Sequence, residues 1–285
     1  MGIHALVWAG DTSPGSVTEA VEHTSEAGFD LLELSLHDSL SIDVEDTRRQ
    51  LEQAGLAIAC SRGLAFDADI SSDDVEVVRR GYRLLLESLD ITHRLGGTHL
   101  TGALYSALGK YGHPLTVRGR QHVVGALTDL AARARDLQMT IGLEICNRYE
   151  TNVINTTREA LALADDIGAD NVTIHLDTYH MNIEETDFVR PVHEAGDRLG
   201  YVHVGENDRG YLGSGHIDFD AFFGALAEIG YAGPITFESF SAAVIAPGLC
   251  NDLAIWRSVW SDGPDLARQA RAFIADQLER HRHRR

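Results

Sequence analysis

Eight times along the chain, a short run of aliphatic and β-branched residues is followed by a longer stretch with helical periodicity. The short runs are Ile3–Trp8, Asp30–Ser35, Leu56–Ser61, Thr98–Leu104, Thr140–Ile145, Asn171–Asp177, Tyr201–Val204 and Pro234–Glu238. The helical patterns cover Ser16–Ala27, Asp43–Ala54, Asp73–Arg94, Thr116–Leu137, Thr156–Ile167, Asp187–Arg198, Phe219–Ile229 and Asp265–Arg280. This alternation is what repeated βα units produce around a parallel sheet. Glycines stand where five of these helices should end, at Gly28, Gly55, Gly96, Gly168 and Gly230, as left-handed C-caps favour a residue without a Cβ. Eight units predict a closed (β/α)8 barrel of α/β class rather than an open doubly wound sheet, and 285 residues suit one such barrel. No linker or low-complexity segment intervenes, so residues 1–285 are expected to form one domain. No G-x-G-x-x-G follows the first strand, which argues against a dinucleotide fold and predicts no nucleotide cofactor.

Charge narrows the partners. A net charge of −19 opposes nucleic-acid binding, which normally needs a basic face. The basic run Arg280–Arg285 reads as a solvated terminus rather than a binding arm. No apolar stretch nears the roughly 20 residues of a membrane span, and the early strand-like run leaves no room for a signal peptide. Cys60, Cys146 and Cys250 are odd in number, widely spaced and without a C-x-x-C pair, which suits a reducing cytoplasm. Lys110 is the single lysine and lies in a Gly/Tyr/His-rich loop, so Schiff-base chemistry is not expected.

Barrel active sites form at the C-terminal ends of the strands. There, four consecutive strands each place one metal-competent residue: Glu144, Asp177, His203 and Glu238. Alternation supports this. If Ile141, Leu143 and Ile145 face the helices, Gly142 and Glu144 point inward; if Ile235 and Phe237 face out, Thr236 and Glu238 point inward. A lone strand-end carboxylate is as often a helix cap or a salt-bridge partner. Three carboxylates on one rim, however, raise one another's pKa unless a cation relieves the repulsion. Three carboxylates with one imidazole form a hard, oxygen-rich set that suits Mn²⁺, Mg²⁺ or Co²⁺ better than zinc. Glu150, His180 and Arg209 follow these positions in the loops and offer polar contacts to a polyhydroxylated substrate.

The strings LEICNRYETNVINT (Leu143–Thr156), HLDTYHMNIEE (His175–Glu185), HVGENDRGYLGSGHIDF (His203–Phe219), FESF (Phe237–Phe240) and AIWRSVW (Ala254–Trp260) resemble the ketose 3-epimerases. These include the D-tagatose, D-allulose (D-psicose) and L-ribulose 3-epimerases, within the xylose-isomerase-like barrels. The resemblance spans essentially the whole chain and implies a TIM-barrel catalytic domain. It also implies metal-dependent inversion at C3 of free ketoses through an enediolate. The substrate pairs it implies are L-ribulose/L-xylulose, D-allulose/D-fructose and D-tagatose/D-sorbose. By resemblance the metal, most often Mn²⁺, falls on Glu144, Asp177, His203 and Glu238, with Glu144 and Glu238 as the acid/base pair. Glu150, His180 and Arg209 fall on the substrate contacts near O1 and O2.

Two positions depart from the D-allulose pattern. Ser106-Ala107-Leu108 replaces Ser-Tyr-Trp, and His4 replaces a tyrosine in the first strand. His4 and Leu108 thus become candidate contacts to the distal end of the sugar, closer to the L-ribulose-preferring branch. An aldose–ketose isomerase or related sugar lyase on the same barrel is the nearest alternative, since both pass through an enediolate. A sugar phosphate is disfavoured because Ser239–Pro247 carries no Lys or Arg. The resemblance further implies a homodimer or homotetramer, to which Ala242–Ile245, Trp256 and Trp260 are candidate contacts.

Overall fold

A computed structural model describes residues 1–245, 247–252 and 254–282. Ala246, within the strand-eight loop, and residues 283–285 of the basic run lie outside the described residues. Eight parallel strands close into a barrel in sequence order: β1 (Gly2–His4), β2 (Leu31–Ser35), β3 (Ala57–Ser61), β4 (His99–Thr101), β5 (Thr140–Glu144), β6 (Val172–Asp177), β7 (Leu199–Val204) and β8 (Ile235–Phe237). The major helices are α1 (Pro14–Glu26), α2 (Val44–Ala54), α3 (Val75–Arg94), α4 (Val117–Asp136) and α5 (Thr157–Ile167). They continue as α6 (Thr178–Glu184), α7 (Arg190–Ala195), α8 (Phe219–Glu228), α9 (Pro247–Asp252) and α10 (Gly263–Arg280). Among the described residues no helix is long and apolar enough to cross a membrane.

The five capping glycines all adopt positive φ, between 67° and 88°. Outward strand residues such as Ile3, Leu32, Leu34, Ile141 and Leu143 join Phe222, Phe223 and Leu127 of the helices in one apolar layer. The inside of the barrel is different. A Cβ on Gly142 would point at Thr101 and His175, and the neighbouring inward positions are His4, Glu33, Tyr201, His203 and Thr236. Burying polar groups in this way is costly unless they are hydrogen-bonded, so any atom left without a partner calls for an explanation.

Several elements differ from the sequence reading for local reasons. β1 stops at His4 rather than running to Trp8, because the His4 ring Nδ1 accepts the Leu6 N–H and turns Ala5–Val7 into a 3-10 helix. β4 stops at Thr101, since Gly102 takes a φ of 108°. The helix expected over Asp187–Arg198 is a short α7 entered at Pro191 and followed by a 3-10 turn. Helices α6 and α9 were not foreseen. His281 does not belong to a solvated tail: it is buried and its Nε2 lies 3.1 Å from Asp220 on α8. Trp260, expected as a possible subunit contact, is also buried within the chain, whereas Trp256 is exposed.

Two helical glycines give opposite expectations. A Cβ on Gly125 in α4 meets nothing within 4 Å, whereas one on Gly81 in α3 would overlap the backbone carbonyl of Ala68. Alanine outranks glycine in a helix by about 1 kcal/mol. Gly125→Ala should therefore raise the thermal midpoint by a few degrees, and Gly81→Ala should lower it despite the same propensity gain. A rise for both in a thermal melt would contradict the packing described for α3.

Candidate active site

Glu144 ends β5, Asp177 ends β6, His203 lies near the end of β7, and Glu238 directly follows β8. Consecutive parallel strands bring these positions to one rim; Asp177 pairs in register with His203. One potential ligand atom from each of the four lies within 4.8 Å of all the others, and all four residues are buried. His203 Nδ1 stands 3.3 Å from Glu144 Oε1 and 3.5 Å from Glu238 Oε1. Asp177 divides its carboxylate. Oδ1 accepts the Tyr179 N–H and caps α6, while Oδ2 faces His180 at 3.7 Å and Arg209 at 3.3 Å. Cap and candidate ligand are thus one residue.

Positive charge is supplied by His203 and Arg209. The Arg209 guanidinium donates to Glu238 Oε2 at 2.7 Å and lies between the Tyr179 ring, 3.9 Å away, and the Phe240 ring, 4.7 Å away. Its backbone sits at φ 60°; the Ser239 hydroxyl, itself the acceptor of the Trp260 indole N–H, donates to its carbonyl. Burial alone would raise the Glu238 carboxyl, but His203 and Arg209 outweigh it and hold the group well below the ordinary carboxylate range. Glu144, further from Arg209, is pushed upward, chiefly by burial. Burial opposes a charge on His203, yet Glu238 and Glu33 beside it favour the protonated ring and raise its pKa well above the usual value.

The two central histidines are wired oppositely. His203 Nε2 faces Glu33 Oε2 at 2.8 Å, so the proton belongs on Nε2. Its buried Nδ1 makes no well-directed hydrogen bond to protein, which fits a cation ligand. His180 Nδ1 instead accepts from the Asn147 backbone N–H at 3.2 Å and pairs with its side-chain amide at 2.9 Å. The neutral ring therefore carries its proton on Nε2, aimed toward Asp177, Glu144 and Glu150 at 3.7–4.0 Å. That makes His180 a donor and argues against the alternative cluster Glu144–Cys146–His180 as a metal site. Burial, together with Glu144, also keeps the Cys146 thiol protonated, its pKa well above normal. Cys60, Cys146 and Cys250 are all free thiols.

Glu150, His4 and Leu108 line the same inner cavity as Glu144, His180, Arg209 and Glu238, so all nine sequence-derived positions gather at one mouth or directly beneath it. Of Ser106-Ala107-Leu108, Leu108 is the one that reaches this cavity; the Ser106 hydroxyl is bound to Thr151 and Ala107 is fully buried. Sequence reading missed Glu33, although an acidic residue inside Leu31–Ser35 with leucines on both sides was a signal. It also missed Asn147, whose amide donates to Glu150 Oε1 at 2.8 Å while serving His180. Arg257 lines the outer mouth with Trp256 and Asp208, a guanidinium that inspection of Ser239–Pro247 alone did not reveal.

Residues 21–277 match the xylose isomerase-like TIM barrel family. The chain is 47% identical to a ketose 3-epimerase of Arthrobacter globiformis over 98% of this chain and 96% of that one. It is likewise 47% identical to an L-ribulose 3-epimerase of Methylomonas sp. (strain DH-1), covering 96% of both. A crystal structure of a D-allulose 3-epimerase from Methylomonas sp. superposes with a TM-score of 0.96 at 47% identity, covering 97% of each chain. On this fold, site and likeness, the chain belongs to the xylose isomerase-like TIM barrels and, within them, to the ketose 3-epimerases, carbohydrate epimerases acting at C3.

Proposed function

We propose that the enzyme inverts C3 of free, unphosphorylated ketoses with the help of one divalent cation, held by Glu144, Asp177, His203 and Glu238. The observation that carries this reading is the meeting of Glu144 and Glu238, from strands three apart in the barrel, on either side of the unpartnered His203 Nδ1. When bound, the cation supplies the positive charge that makes a C–H beside a carbonyl acidic enough to remove. Mn²⁺ suits three carboxylate oxygens and one imidazole best, with Co²⁺ or Mg²⁺ as alternatives.

Inversion requires removing a proton from one face of C3 and returning one to the other. Glu238, kept ionised by His203 and Arg209, is suited to accept the proton. Glu144, on the other side of His203 Nδ1, is placed to return one once it carries a proton. The roles exchange for the opposite epimer. His180 Nε2–H and the Arg209 guanidinium point donors into the cavity, where they would hold O1 and O2 of the ketose, O2 being the atom that gains negative charge when C3 loses its proton. Glu150, oriented by Asn147, accepts from a sugar hydroxyl. Tyr179 and Phe240, flanking Arg209, limit water around the guanidinium.

The Methylomonas sp. D-allulose 3-epimerase, 46% identical, has been crystallised with D-allulose. With Leu108 and His4 in the lining of the cavity, L-ribulose or D-allulose should be turned over with higher kcat/KM than D-tagatose. A higher kcat/KM for a phosphorylated ketose would overturn the free-sugar assignment and point to Arg257. Treatment with EDTA should abolish activity, Mn²⁺ or Co²⁺ should restore it better than Zn²⁺, and Mn²⁺ should raise the melting temperature by binding the native state. Full activity in rigorously metal-free protein would exclude the metal-assisted reading. Because His203 is held protonated without a cation, Mn²⁺ must displace a proton from Nδ1. Apparent Mn²⁺ affinity should accordingly rise with pH across the neutral range, with proton release detectable by calorimetry in buffers of different ionisation enthalpy. Affinity independent of pH would contradict that wiring.

A further inference from the structure

Glu33 is a fully buried carboxylate inside the barrel, on β2, behind the residues that line the inner cavity rather than among them. Its Oε2 accepts from His203 Nε2 and from the Tyr201 hydroxyl, each at 2.8 Å. The Tyr201 hydroxyl lies 2.8 Å from Thr236 Oγ1, which ties this group to β8. The other oxygen, Oε1, has no directed hydrogen bond and faces His4 Nε2 at 3.7 Å. His4 accepts the Leu6 N–H through Nδ1, so its Nε2 carries a proton, which has the Ser61 hydroxyl at 3.4 Å as its hydrogen-bond partner. The His203 imidazole N–H and the Tyr201 hydroxyl, both on β7, thus converge on one buried anion.

We propose that Glu33 is a positioning residue: by accepting the Nε2 proton of His203 it fixes that ring with its Nδ1 lone pair facing Glu144 and Glu238, and so sets the affinity of the site for a divalent cation. This rests on the reading of Glu144, Asp177, His203 and Glu238 as the metal site. Three observations support it. A buried carboxylate is costly in an interior that an apolar side chain could fill, so stability alone is a weak reason for it. The hydrogen bond is to the ring nitrogen that does not face the four-residue cluster, the arrangement by which carboxylates orient and polarise metal-bound imidazoles. Finally, His203 is boxed edge-on by His175, with ring centroids 4.2 Å apart, so the ring has little room to turn and its tautomer is decided by what lies behind it.

The test compares the full-length wild type with Glu33→Gln and Glu33→Leu in the absence of sugar. Free Mn²⁺ is followed by electron paramagnetic resonance during titration, and metal-free melting curves are recorded for all three proteins. Losing an orienting partner of this kind weakens metal binding by roughly 10–100-fold. Glu33→Leu should approach the upper figure. Glu33→Gln, which keeps an acceptor for the Nε2 proton but loses the charge, should fall nearer the lower one. Wild-type Mn²⁺ affinity in the folded variants would overturn the proposal, as would a lowered melting temperature with unchanged affinity, which marks a purely structural carboxylate. If Glu33→Leu does not fold, the near-isosteric Glu33→Gln decides alone. Failure of the wild type itself to bind Mn²⁺ would refute the metal-site reading, a result distinct from equal binding by wild type and variants.

Discussion

Glu144, Asp177 and Glu238 share one buried rim, and their mutual repulsion is the constraint around which the rest of the site is arranged. In water three such charges would spread apart; at the ends of β5, β6 and β8 the barrel backbone prevents it. Arg209 is pinned between Tyr179 and Phe240 and neutralises the Glu238–Asp177 side, while His203 stands between Glu238 and Glu144. The consequence is asymmetry. The carboxyl close to both positive groups stays ionised and the one further from Arg209 is pushed toward protonation. A divalent cation among the four side chains would relieve the residual repulsion and place its charge beside both.

Hydrogen bonds made at the far side of each ring decide what the site histidines can do. Backbone and side chain of Asn147 occupy Nδ1 of His180 and leave a proton on Nε2, so that ring serves as a donor. Glu33 occupies Nε2 of His203 and frees Nδ1. His4 resembles His180 in pattern, with Nδ1 taken by the Leu6 N–H. The same chemical group is therefore set to opposite tasks by a neighbour on β2 in one case and by a loop asparagine in the other. Neither neighbour is among the residues lining the inner cavity, so each acts on the site through the ring it holds.

The barrel and its rim were legible because both follow from periodicity. Alternating side chains put Glu144 and Glu238 inside once the flanking aliphatics were assigned outward, and the capping glycines marked where helices stop. What escaped notice depends on contacts between distant segments. Glu33 and His203 are 170 positions apart, and no local pattern links them. β1 ended early because the His4 side chain captures a backbone N–H, a competition between side chain and ladder that strand propensity does not register. Trp260, which in sequence suits a subunit contact or packing of the last helix equally, is buried within the chain and is the donor that holds Ser239 against Arg209. His281 looked like part of a loose basic end and is docked on Asp220.

If Glu144 and Glu238 exchange roles as base and acid, removing one should leave half of the reaction intact. Glu→Gln at either position, measured in deuterated water with bound metal quantified alongside, isolates that half. Each folded, metal-replete variant should lose about 10²–10⁴-fold in kcat for inversion. Each should still wash solvent deuterium into C3 of one epimer only, the other variant serving the opposite epimer. A metal-replete Glu238→Gln enzyme that inverts C3 at near wild-type rate would contradict the two-carboxylate assignment and direct attention to Glu150 or His180.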